Sequence, residues 1–134
     1  MAVSWTTHTG SLTTAAGASS NTGFNGTGSI IEVVPTNNNH TRSILEIHIT
    51  ARDTTTNNMI RMYKYSAEDT AWIPHSEINV SAVPVVNEQV QRWSVRKLPL
   101  NLLLDSADKL GFSAHIIGTS PANEFYVTVE VEHL

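Results

Sequence analysis

From Phe125 to Glu132 every second residue is large and apolar: Phe125, Val127, Val129 and Val131 alternate with Tyr126, Thr128, Glu130 and Glu132. A side-chain period of two belongs to a β-strand with one face on a core and the other in water. The pattern recurs along the chain. Leu110, Phe112, Ala114 and Ile116 repeat it, and Leu45, Ile47 and Ile49 alternate with Glu46, His48 and Thr50. Arg61, Tyr63 and Tyr65 interleave with Ile60, Met62 and Lys64, as in a strand partly covered on both faces. With residues 29–34, 72–80 and 90–98 this predicts seven main strands, and residues 100–104 offer an eighth.

The punctuation agrees. Residues 35–39 (PTNNN), 53–58 (DTTTNN), 67–69 (AED) and 119–123 (TSPAN) are turn-forming runs between these segments. Pro84 and Pro99 mark strand ends or edges, because proline cannot donate to a central ladder. Residues 105–108 (DSAD) can open a single helical turn, and a long helix fits nowhere. The reading is all-β: an antiparallel β-sandwich of jelly-roll type, with an immunoglobulin-like sandwich giving a similar count and spacing.

Composition bounds what such a domain can do. The 134 residues suit one domain, and only 15% of them are charged against the roughly 25% of an average globular chain. Thr and Asn, which suit strands and turns, replace the missing charge. Net charge is −4, so no basic footprint for a nucleic-acid backbone is expected. No apolar run approaches the ~20 residues of a membrane span, and MAVSWTTHTG lacks the basic start and apolar run of a secretory signal. Without cysteine, neither disulfides nor thiolate metal sites hold the fold.

Residues 1–31 contain no Asp, Glu, Lys or Arg, and up to residue 29 they are dominated by Gly, Ser and Thr. So few large side chains bury too little apolar surface to offset ordering entropy unaided. The predicted division is therefore an extended N-terminal arm over 1–28 and the sandwich over 29–134. Such an arm lies against the body or a neighbouring subunit; Trp5 and Phe24 are its candidate interface anchors. On this reading the arm serves assembly and is dispensable for folding.

Catalytic chemistry is not expected. No Gly-x-Ser-x-Gly elbow occurs, and Glu130 and Glu132, two positions apart on one strand face, read as a solvated face rather than a glycosidase pair. The six histidines form no His-x-His and no His-Glu-x-x-His, so neither a metal site nor a cofactor is predicted. His8, His40, His75 and His133 fall in loops or near the chain ends, and His48 and His115 mid-strand. Trp72 and Trp93 read as core tryptophans facing each other across the sheets, or else as a sugar-stacking platform. Trp93, Phe112, Phe125 and Val127 are expected to be buried.

From Gly28 onward the order of features is distinctive. A GSIIEVVP segment (28–35) precedes an Arg-bearing amphipathic strand (41–47, TRSILEI) and a Thr-rich turn (53–58). Then come MIRMYKY (59–65), Ile73-Pro74, a Leu-Pro-Leu-x-Leu element (98–102), a short strand ending in His115, and a terminal Phe125-Tyr126-Val127 strand. In this order, over roughly residues 26–131, the chain resembles the small jelly-roll decoration and auxiliary virion proteins of tailed bacteriophages. It departs from them at residues 105–108, where a Pro-Ala-Gly turn is more usual. The resemblance implies a non-enzymatic capsid decoration protein, often trimeric, bound to the major capsid protein on the virion surface and made in the host cytoplasm. A glycan-binding jelly-roll module, or a tail or head-fibre subunit used in host attachment, is the alternative.

Overall fold

A computed structural model of the chain describes residues 4–13, 16, 18, 20, 21, 29–51, 56–82, 102–117 and 124–134, and the backbone alone of 91–95. These residues form nine strands: β1 (Ser4–Leu12), β2 (Ile31–Val34), β3 (Arg42–Ala51), β4 (Asn58–Ser66), β5 (Ala71–Val80), β6 (Gln91–Val95), β7 (Leu103–Leu104), β8 (Lys109–Ala114) and β9 (Phe125–His133). No α-helix occurs among the described residues. One sheet runs β1-β9-β3-β6, with the short β7 also on β3; the other runs β2-β8-β4-β5, and every described pairing is antiparallel. The chain is an all-β, two-sheet sandwich.

Alternation and register build the core together. Leu12, Phe125 and Ala51 lie in one cross-strand row on β1, β9 and β3, and all three are fully buried. Val127, Val129 and Val131 continue β9 inward opposite Ile49, Ile47 and Ile44. From the second sheet Met62 pairs with Phe112 and Ile60 with Ala114, all buried. Phe112, Phe125 and Val127 are thus core residues, as expected; the side chain of Trp93 lies outside the described residues. Full burial of each such side chain contributes about 1.5–3 kcal/mol.

Two register details were not visible as period-two patterns. A bulge in β3 between Ile44 and Glu46 adds one residue, so Ile44 rather than Leu45 is buried, while Glu46 and His48 share the outer face. A second irregularity lies where Met62 and Tyr63 face Ser76 and Pro74, which places Pro74 on the edge strand β5, where a missing donor is tolerated. Residues 105–108 make a turn closed by Asp108 N–H donating to Asp105 O at 3.0 Å, not a helical segment. Asn37 N–H donates to Ser106 O at 2.8 Å, tying the loop after β2 to this turn.

The division at residue 28 does not survive the topology. Ser4–Leu12 is a strand of the sandwich, paired with β9 over all nine of its residues, and Leu12 is part of the core. Further along, Thr13, Ala18 and Asn21 are buried. Asn21 N–H donates to Ala114 O at 2.9 Å, and its own carbonyl accepts from Arg61 Nη1 at 3.0 Å, on the outer face of the second sheet. Where it is described, the arm lies on its own body.

Candidate functional site

β1 forms one margin of the five-stranded sheet, pairing with β9 on one side and with no described strand on the other. Its inward positions are Thr6, His8, Gly10 and Leu12; Trp5, Thr7, Thr9 and Ser11 point outward. Trp5 is 65% exposed. Through the register it lies in one outer-face row with Glu132, Ser43 and Leu103, the last 50% exposed. At Gly10 the strand passes close to the second sheet: a Cβ there would lie 2.5 Å from Val33 Cγ2, so only glycine fits. The open part of the edge is therefore the stretch before Gly10, which carries no charge and no proline.

The other margins are protected in the usual ways. β2 has four residues and a bulge between Glu32 and Val34, and β5 carries Pro74 and Glu77. β6 has only five residues. A long, uncharged edge is a feature that natural sheets avoid unless it is covered or paired.

Beneath the Trp5 end of β1 the sandwich is closed by polar groups. Arg42 is 1% exposed, and its Nη2 donates to Asp105 O at 2.8 Å and Asp108 O at 3.0 Å, while Nη1 donates to Pro35 O. Burial lowers its pKa and the Asp108 carboxylate opposes that shift, so the guanidinium remains a cation tying two loops together through three carbonyls. Asp108 is buried as well; it pairs with Lys64 at 3.5 Å and accepts from Ala67 N–H and Asp105 N–H. His133 is hydrogen-bonded to Ser4 Oγ and Thr6 Oγ1 of β1 at 3.1 and 3.2 Å, and its ring stacks on His40 at 5.1 Å. His8 is held below its usual pKa by burial first, then by the Arg42 and His133 charges.

The remaining sequence candidates separate as follows. Trp5 is at the open edge, and Phe24 lies outside the described residues. His8, His75 and His133 are in strands, and His115, expected mid-strand, lies just after the end of β8. Trp72 is not a core residue: it lies on the outer face of the second sheet, where a Cβ on Gly111 would meet its ring at 2.8 Å. Tyr65 packs edge-on against it at 5.3 Å, and Lys109 Nζ sits 4.4 Å from the Tyr65 ring centre and 5.8 Å from that of Trp72. Lys109 is also paired with Glu32 at 3.1 Å. A shallow cleft of about 300 Å³ is lined by Asn57, Asn58, Met59, Arg61 and His115, with Arg61 Nη1 3.2 Å from His115 Nδ1. Its described lining holds no serine, threonine or carboxylate. No helix among the described residues is long and apolar enough to cross a membrane.

Comparison with known proteins finds no family model, no curated protein and no solved structure that matches the chain.

Proposed function

We propose that the chain is a non-enzymatic structural virion protein, a jelly-roll decoration or auxiliary subunit bound to the major capsid protein shell of a tailed phage. The observation that carries this reading is the strand order. With the two-residue β7 set aside, the orders β1-β9-β3-β6 and β2-β8-β4-β5 read as two Greek keys wound across facing sheets. That winding is shared by viral capsid domains and lectins. The uncharged β1 edge with exposed Trp5 beside it favours assembly, since an unprotected edge pairs readily with another chain and aromatics anchor such contacts.

The glycan-binding alternative draws on the outer Trp72–Tyr65 pair. Lys109 already lies over both rings, which leaves that platform poorly suited to a sugar face. The test is co-sedimentation of the purified chain with shells assembled from a tailed-phage major capsid protein. Saturable binding that is lost in Trp5→Ser supports the proposal. A chain that ignores the shells and is retained on a glycan column belongs to the alternative.

A further inference from the structure

We propose that Glu46, His48 and Glu130 form a binding site for a zinc-like divalent transition-metal ion on the outer face of the five-stranded sheet. One ligand atom from each can be chosen so that all three lie within 4.8 Å of one another. Linear spacing conceals the group because it is assembled by register: Glu46 on β3 faces Glu130 on β9, and His48 stands two residues along β3 on the same face. The bulge between Ile44 and Glu46 creates this face, for with Leu45 in regular register Glu46 would share the inward side of Ile44 and lie opposite Val129 rather than Glu130.

Three physical points lead to a metal. His48 Nε2 is 3.1 Å from Glu46 Oε1. Zinc bonds of about 2.1 Å to nitrogen and oxygen in a tetrahedron place neighbouring donors about 3.4 Å apart. The pair is thus already at ligand spacing, and Glu130 has only a rotamer-scale distance to close. Next, like charges directly opposite each other across strands destabilise a sheet. Here both carboxylates are part-buried, His48 is the only described ion-pair partner of Glu46, and Glu130 has none among the described residues. A dication offsets that repulsion. Finally, one imidazole with two carboxylates and no thiolate suits zinc and its neighbours better than calcium or magnesium, which prefer all-oxygen shells. Three protein ligands on an open sheet face leave the remaining coordination position to water. Nothing in this site depends on the assembly proposal, since all three ligands come from one chain.

The experiment is zinc titration calorimetry on the full chain, with thermal melts in zinc and in chelator. One zinc per chain is expected, with a melting temperature raised by zinc and returned by chelator. Glu130→Gln and His48→Ala should each weaken binding by about 100-fold or more, since loss even of a ligand's supporting partner costs 10–100-fold. Both positions are on the outer face, so the variants fold, as circular dichroism will verify. His133→Ala, which breaks the stacked His40–His133 pair, should leave zinc binding unchanged. The proposal is overturned if zinc fails to bind at millimolar concentration, if Glu130→Gln binds as the parent does, or if His133→Ala abolishes binding.

Discussion

Single residues show where the alternation of the sequence can be trusted. The period of two alone places Phe112 and Phe125 in the core, and both are fully buried. Phe112→Ala and Phe125→Ala should each cost about 3–5 kcal/mol in denaturant melts; losses below 1 kcal/mol would contradict the packing. Arg42 was legible only as a cation on an amphipathic strand. Its role as a fully buried tie between loops depends on carbonyls at Pro35, Asp105 and Asp108, up to 66 residues away in the chain. For Trp72 the sequence offers two readings, a core tryptophan or a sugar-stacking platform, and the structure places it outside the core. The socket that holds it outside arises from Gly111, whose missing side chain makes room on the outer face. His8 supplies a pH test. Its native pKa lies below the ordinary 6.5, so the unfolded chain takes up a proton first as the pH falls. Stability from this residue is therefore intact above about pH 6.5 and declines below it until native His8 also protonates. Between about pH 7.5 and about pH 5.5 the melting temperature should fall more for the parent than for His8→Gln. Equal falls would mean that His8 is not held neutral.

At the scale of elements, eight strands could be read and one could not. The seven main segments and the Leu103–Leu104 strand correspond to β2 through β9, with ends shifted by a few residues. β1 was invisible because its inward positions are Thr6, His8, Gly10 and Leu12, of which only the last is a large apolar residue. Two of the four reach inward as polar groups, and the third is a glycine demanded by Val33. A strand can thus belong to a sandwich while showing no hydrophobic period, provided its partner strand supplies the apolar surface, as β9 does. This pairing leads to the opposite prediction from an arm dispensable for folding. Deleting residues 1–12 removes nine register pairs and exposes the β9 flank together with the Phe125 end of the core. The truncated chain should lose its cooperative melting transition. A shortened chain with the parent's near-ultraviolet circular dichroism and melting temperature would show that β1 is an appendage after all. The Glu46–His48–Glu130 group was hidden for a related reason, since cross-strand register and a bulge both have to be known before those side chains can be placed together.

Among the described residues the molecule is two antiparallel sheets, and the β1 margin carries neither charge nor proline before Gly10. Composition pointed to its class correctly: little charge, no cysteine and abundant Thr and Asn suit a fold held by backbone pairing and an apolar interior. What a chain assembles with is written on its surface, and surface pattern follows from topology rather than from residue order. The uncharged stretch of β1 and exposed Trp5 support the proposed contact between copies or with a shell, and a decoration protein of the proposed kind is often trimeric. Substituting Thr7→Lys and Thr9→Lys would place charge on that edge, the device by which natural sheets prevent such pairing. Multi-angle light scattering on the purified chain, run beside this double variant, tests the assembly reading most directly. The parent should elute as a single species with the mass of three chains, and the variant, equally folded, as a monomer. A parent that remains monomeric at every concentration, or a variant that assembles as the parent does, would contradict it.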